Sequence, residues 1–537
     1  MGEISRRDFL KSTAIGAVGV ASIGLLGGCV GGDKEDKKDK EEAKKAHNPV
    51  RTEKCDLVVI GSGTAGLCTA VRAAELGASV ILLEKLSTIG GTSAFAEGIG
   101  GLNSFMNKNM GPGGKPFKVG EVVKRVGDFA HWNLNAPVLS RYLSESGKTI
   151  DWLHFQCGVQ FLSATGTTPK SYPTWHVISI DGEKGLIGKG VHKPLIEYGK
   201  NHGLKDIRLS SPATGLIVED GTVKGVYVQD QKKNEEYTIE AKNTVLATGG
   251  YSNNKEMFKR FTFLDLDNIH DFGTREGRDG DGIRWAEEIG AAFHNPGGIL
   301  FAYPTVKDDY DFNSKVAFMF AQQRIIHVNE QGERFFNEEN IADVAIVENA
   351  MKTQKRVFSM LDQTYLEYIR DKAVTMGWDA PGFAKTGQPY PDASKVINEG
   401  IKKGTVQKFE TTEEIANYIG CDVKAFQDTI AKYNQACHVG VDDDFGLSAM
   451  YLHPMKTAPF YVAEIIPTMF ATMGGLDVDK YLRVVNTKGE PIPGLFALGC
   501  DASSIYGTDY DIDIVSGSQQ GWCATGGRLV AEYVMDK

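Results

Sequence analysis

The stretch from Cys55 to Lys85, CDLVVIGSGTAGLCTAVRAAELGASVILLEK, constrains the fold more than any other part of the chain. Leu57–Ile60 is a short apolar run, as a parallel strand buried on both faces requires. Gly61, Gly63 and Gly66 follow in G-x-G-x-x-G spacing. Leu67 to Leu76 then repeats apolar residues with helical period, and Val80–Leu83 is a second buried strand ended by Glu84. Each part has a mechanical role. Gly61 makes the tight turn, Gly63 lets the backbone approach a pyrophosphate, and Gly66 lets the helix pack close to the strand. Around Thr64 and Ala65 the helix N-terminus offers N–H groups and a positive dipole end to phosphates. Glu84, followed by Lys85, can accept from ribose hydroxyls. Strand, turn, helix, strand and acid together predict a dinucleotide site in an α/β fold.

The rest of the composition narrows the class. The chain has 537 residues, enough for two or three domains. It carries 59 basic against 69 acidic residues, a formal charge of −10, so no basic surplus argues for nucleic acid. The eight cysteines show no CxxC spacing, and no zinc ribbon, four-cysteine cluster or c-type haem site is written here. No metal site is expected.

The first fifty residues read as an address. Ser5-Arg6-Arg7-Asp8-Phe9-Leu10-Lys11 resembles a twin-arginine (Tat) export signal. The apolar run from Ala14 to Leu26 is short for a membrane span, although a signal anchor is the alternative. Leu26-Gly27-Gly28-Cys29 resembles a lipobox, which implies a signal peptide over 1–28 and Cys29 as lipid anchor; an ordinary signal with a chance cysteine is the other reading. Residues 29–50 are rich in Lys, Asp and Glu and form a charged flexible linker that cannot bury enough surface to order itself. The expected location is the extracytoplasmic face of a bacterial cytoplasmic membrane.

A second glycine-rich segment separates the candidate dinucleotides. Gly90-Gly91-Thr92-Ser93 is followed by Gly98, Gly100 and Gly101. This segment resembles the flavin-contacting loop of the fumarate reductase and succinate dehydrogenase flavoprotein family. Members with covalent FAD carry a histidine there; this chain has none, which implies non-covalent FAD. Further motifs follow in family order: Thr248-Gly249-Gly250 after a strand, Gly280-Asp281-Gly282 before a helix, the NxxGxRFxNE stretch Asn329–Glu338, Thr472-Met473-Gly474-Gly475, and Pro493–Gly499. The resemblance covers nearly all of 53–537 and is nearest to flavocytochrome c-type fumarate reductases and their exported relatives. It implies a Rossmann-like FAD-binding domain interrupted by an α+β clamp (capping) domain. The FAD-binding parts would be 51–297 and 470–537, and the clamp 298–469, with helical stretches near 345–372 and 411–437. It also places Asp501 near the ribitol. The helix after Val515 and Ser516 would direct its N-terminus at the flavin N1/O2 edge.

The sequence departs from that family where substrate is held. Ala342 precedes Asp343 where the family has its proton-donating arginine. Ala471 and Tyr303 stand where it has histidines, and Tyr510 where it has a second arginine. A doubly charged substrate needs cationic partners once desolvated. The resemblance therefore implies a reductase of an activated C=C bond, not one for C4 dicarboxylates. Tyr510 also resembles the ketone-binding tyrosine of ketosteroid dehydrogenases. A phenol there can polarise a carbonyl or protonate the adjacent carbon, with Tyr303 as the reserve acid. Arg324, His327 and His176 are further candidates for the cleft. The expected substrate is a small unsaturated carbonyl compound. Electrons would come from a separate donor, such as a membrane-linked cytochrome c or a quinol-oxidising protein. A dehydrogenase running in reverse and a non-catalytic electron-transfer lipoprotein are the alternatives.

Overall fold

Thr52–Ile60 and Val80–Leu83 form the expected parallel pair, with Leu57 opposite Val80 and Ile60 opposite Leu83. Their last four residues are buried without exception, so side chains cover both faces of the sheet. On its other edge Thr52–Ile60 pairs in parallel with Glu235–Leu246, which pairs with Pro491–Ala497. Asp206–Arg208 lies beyond Val80–Leu83. The parallel strand ends therefore gather residues from four distant parts of the sequence along one sheet edge. Ligands of open α/β sheets bind at this carboxyl edge. Helix Thr64–Glu75 and the C-terminal helix Ser518–Met535 pack on the sheet and on each other, and both are buried along most of their length.

This computed structural model describes residues 47–166, 171–273, 276–378, 382–510, 512 and 514–536. The expected export signal, the expected Cys29 anchor and the expected charged linker up to Ala46 lie outside the described residues. Among those described, no helix is long and apolar enough to cross a membrane.

The hydrophobic interior is divided. One core draws on Leu57 to Phe301 and on Met469 to Ala531, with Val344 added. Two others lie wholly within Val306 to Ile465. The chain passes between them at 302–304 and again at Pro467. Those crossings are tied together: Ala302 N–H donates to the Thr468 carbonyl (3.1 Å), and Thr468 Oγ1 donates to the Tyr303 carbonyl (2.7 Å). The central sheet of the second part runs Thr305–Val306, Phe460–Ile466, Val357–Asp362, His327–Asn329.

The helical expectation for 345–372 needs correction. The chain there forms helix Val344–Met351, strand Val357–Asp362 and helix Gln363–Asp371. The run Val-Phe-Ser-Met-Leu-Asp is wholly buried and pairs on both sides, and that packing decides its conformation. The 411–437 stretch is likewise two helices. Thr412–Ile419 starts with a Thr411/Glu414 capping box and stops at Gly420 in the left-handed region; Val423–Val439 begins at the Asp422 cap.

Candidate active site

The glycine turn has the geometry its spacing requires. Gly61 has φ +102°, and a Cβ there would lie 2.2 Å from the Ala247 carbonyl oxygen. A Cβ on Gly66 would lie 1.9 Å from the Gly61 carbonyl oxygen, so the helix can sit this close to the strand only because Gly66 lacks one. The second glycine segment folds over the first. Thr64 N–H donates to Ser93 Oγ (3.0 Å), Ser93 Oγ donates to the Gly90 carbonyl (2.7 Å), and Gly90 N–H donates to Ser62 Oγ (3.2 Å). Gly63, Ala65, Gly91 and Thr92 complete this surface. Glu84 braces it from beneath: its Oε2 accepts from the Ser62 N–H and hydroxyl, and its Oε1 from Leu86 N–H. One lone pair on Oε1 is left for a ribose hydroxyl.

Two further groups of expected residues meet. Asp501 is fully buried and receives Gly250 N–H (2.9 Å), Thr248 N–H (2.5 Å) and Thr248 Oγ1 (2.9 Å), while Gly282 packs so closely on Thr248 that a Cβ would lie 3.0 Å from its Oγ1. Burial raises the Asp501 carboxyl pKa against these donors. Gly249 has left-handed φ between them. Gly98–Gly100 is a short strand, and Gly100 N–H donates to the Gly517 carbonyl (2.8 Å) at the start of the C-terminal helix. Gly101 N–H donates to the Thr174 carbonyl (2.9 Å), and Thr174 Oγ1 donates to the Ser516 carbonyl (3.1 Å). Val515 and Ser516 thus adjoin the second glycine segment. Lys85 donates to Asp281 (2.8 Å) and Asp279 (2.6 Å), which fastens the first βαβ unit to the helix Asp281–Glu288.

The two tyrosines sit on neighbouring chain segments. Ile299 bridges Asp509, and Ile299 N–H donates to the Thr508 carbonyl (3.3 Å). Tyr303 continues the first segment and Tyr510 the second. Tyr510 is buried, its ring edge-on to Tyr506 at 5.3 Å. The Tyr303 hydroxyl donates to the backbone carbonyl of Ala342 (3.3 Å). A phenol therefore stands beside the residue where the resemblance expects the proton donor. Asn349 Nδ2 donates to Asp509 Oδ1 (2.8 Å), which ties the helix Val344–Met351 to the Tyr510 segment.

The other candidates have structural tasks. His176 is buried, contacts Ser104 Oγ (2.7 Å) and the Ile99 and Thr174 carbonyls, and burial pushes its pKa down to about 4. His327 is buried in another core with Nδ1 on the Ile325 carbonyl (2.7 Å), also pushed down to about 4. Arg324 donates to the Glu339 and Thr375 carbonyls. Arg334 of the NxxGxRFxNE stretch makes a buried pair with Glu338 and Asp442.

Three groups escaped sequence reasoning. Arg278 forms a buried ion pair with Asp271 (2.7 Å) and donates to the Phe470 carbonyl (2.8 Å); a Cβ on Gly249 would touch it at 3.4 Å. Only its position two residues before Gly280 hinted at this. His192 places Nε2 3.0 Å from Thr64 Oγ1, and its Nδ1, buried without a partner, would lie 3.0 Å from a Cβ on Gly90. Glu348 is fully buried, with Oε1 accepting from Thr468 N–H (3.1 Å).

The residues present fit FAD: a cradle that a Cβ would fill, a helix N-terminus, and a buried polar floor of Ser62, Glu84 and His192. They define a dinucleotide-binding flavoprotein. Residues 56–511 match the family described as "FAD binding domain". The chain belongs to this FAD-binding family, with fumarate reductase and succinate dehydrogenase flavoproteins among its relatives, and is a flavin-dependent oxidoreductase. It is 32% identical to the vinyl phenol reductase of Lactiplantibacillus plantarum over 464 residues, 85% of this chain and 91% of that protein. It is 29% identical to the urocanate reductase of Eggerthella lenta, over 85% of this chain and 71% of that one. In fold it is similar to the open form of a flavocytochrome c3 fumarate reductase, with TM-score 0.64, 23% identity, and 91% and 79% of the two chains covered. It is also similar to a 3-ketosteroid-Δ4-(5α)-dehydrogenase from Rhodococcus jostii, with TM-score 0.66, 22% identity, and 90% and 97% covered. The mixed α/β fold with a capping part is thereby established.

Proposed function

We propose that this flavoprotein reduces the conjugated C=C bond of a substrate without paired carboxylates, such as an α,β-unsaturated carbonyl compound. Relatives named as vinyl phenol, urocanate and digoxin reductases support C=C reduction. The observation that carries the finer reading is the Tyr303 hydroxyl 3.3 Å from the Ala342 carbonyl, with Ala471 buried nearby in sequence to Thr468, which binds Tyr303. Phenols and methyl groups stand where a dicarboxylate would need cations.

FAD, held non-covalently by the glycine turns, supplies hydride at the flavin N5 when bound. The chain's own residues hold the substrate and move one proton. Tyr510, or Tyr303 in reserve, gives its hydroxyl proton to the carbon next to the activating group and regains one from solvent. One hydride and this one proton, together two electrons and two protons, balance the saturation of the bond. The part built from 298–469 serves as the clamp over the FAD-binding parts 51–297 and 470–537, and excludes water at closure. Electrons arrive from a separate membrane-linked donor. Export through the Arg6-Arg7 signal and lipid attachment at Cys29 place the enzyme beside that donor; Cys29→Ser would release it from membranes.

The test is anaerobic oxidation of reduced methyl viologen by the purified holoenzyme, against fumarate, urocanate, aryl acrylates, steroid enones and unsaturated lactones. Turnover of a substrate lacking paired carboxylates, with fumarate inert, is the expected result. Fumarate turnover at comparable rate overturns the reading.

A further inference from the structure

Three phenylalanines from separate segments converge beside the flavin-binding loop. Phe470 lies on strand Thr468–Leu476, Phe272 just after the His270–Asp271 strand, and Phe312 in the loop before helix Lys315–Phe320. Their ring centroids are 5.2 Å apart for Phe272 and Phe312, 5.7 Å for Phe312 and Phe470, and 6.3 Å for Phe272 and Phe470. The cluster adjoins the cofactor cradle: a Cβ on Gly273 would lie 2.4 Å from the Phe470 carbonyl oxygen and 2.9 Å from Thr92 Cγ2. Phe470 also directly precedes Ala471, where the family expects a substrate-binding histidine.

The cluster is not ordinary core. Phe312 is 56% exposed and Tyr310, stacked on His270 at 4.4 Å, is 45% exposed. Nor is the Phe312 loop loosely held. Thr305 Oγ1 donates to the Asp309 carbonyl (2.9 Å), Ser314 Oγ to Asp309 Oδ2 (2.7 Å), and Asn313 N–H to Asp311 Oδ1 (2.9 Å). Clustered apolar surface kept open to solvent on a braced loop marks a binding surface. Arg278 and Asp271 beside Phe470 are paired with one another, and Asp309 and Asp311 of the loop accept hydrogen bonds from the loop itself. Phe312 belongs to the 298–469 part, and Phe272 and Phe470 to segments beside the cofactor site, so the rings join the two parts.

We propose that Phe272, Phe312 and Phe470 form an aryl subsite that receives the aromatic ring of the substrate. This deepens the proposed function and rests on that reading for the word substrate. Offset and edge-to-face ring contacts favour an arene over a saturated ring of the same size. The chain thus selects aryl-conjugated double bonds.

Calorimetric titration of the oxidised holoenzyme with 4-ethylphenol, and with 4-ethylcyclohexanol as the saturated control, reads the subsite without turnover. The wild type is expected to bind 4-ethylphenol about tenfold more tightly than the control. Phe312→Ala should erase that preference and Phe312→Tyr keep it, both with unchanged FAD content and melting temperature because Phe312 is largely exposed. A wild type without preference, or a Phe312→Ala protein that retains it, overturns the subsite. The reductase reading stands or falls separately, on the viologen assay: an aryl preference lost in Phe312→Ala upholds the subsite even if no substrate is reduced.

Discussion

At the scale of single residues, the proposed chemistry rests on the groups that stand where the resemblance expects cations. Tyr303 and Tyr510 are the candidate acids. Tyr510→Phe keeps the ring and removes only the hydroxyl. It should lower kcat about 100-fold, the usual loss with a general acid, while KM changes little. If Tyr303 is the acid instead, Tyr303→Phe shows that loss and Tyr510→Phe does not; pre-steady-state and steady-state rates of both variants decide. The glycines make a harsher claim. A Cβ on Gly66 would lie 1.9 Å from the Gly61 carbonyl oxygen, and backbone cannot step aside. Gly66→Ala should cost about 3 kcal/mol and yield protein depleted of FAD, visible as loss of absorbance near the flavin bands. These glycine roles were legible in the spacing. Arg278 and Asp271 were not, because an ion pair seven residues apart leaves no periodic trace.

At the scale of elements, helix Val344–Met351 connects the parts. Its Glu348 carboxyl receives the Thr468 N–H at one crossing, and its Asn349 holds Asp509 beside Tyr510. Burial pushes the Glu348 carboxyl well above the ordinary carboxylate range. The folded protein therefore holds this proton more tightly than the unfolded chain. Its contribution to stability is fully present below the unfolded carboxyl pKa and is lost as pH rises from there through the folded-state pKa. Glu348→Gln keeps the acceptor and cannot ionise. It should match the wild type near pH 5 and exceed it in denaturant midpoint at pH 8, the gap widening with pH. A gap that shrinks with rising pH would show that Glu348 is ionised in the native state. Sequence periodicity gave no warning of this carboxyl, since the same helix reads as plainly apolar with Val344, Ile346 and Val347 around it.

At the scale of the whole molecule, acid is the expected weakness. His176, His192 and His327 are buried in different places and each is pushed down to about 4 by desolvation. The unfolded chain takes up their protons near pH 6.5, the folded one only near 4. The contribution of these histidines is therefore fully present above about pH 6.5 and is lost as pH drops toward 4, by up to about 3 kcal/mol for each. Melting temperatures measured from pH 7 down to pH 4.5 should decline. His192→Gln should flatten the slope by about one proton, and an unchanged slope would mean that His192 is charged in the native state.

The sequence by itself determined the βαβ unit, its glycine turn and the order of the flavin motifs. Those are local: spacing, φ demands and side-chain chemistry are written within a few residues of one another. Tertiary structure alone decided the rest. It broke 345–372 with a buried strand because pairing on both edges outweighs helical pattern. It turned His176, His327 and Arg324 into structural groups by giving them backbone partners. It assembled Phe272, Phe312 and Phe470, nearly two hundred residues apart in sequence at the extremes, into one aromatic surface. Such convergence depends on which strands become neighbours, and no stretch of sequence carries that information alone.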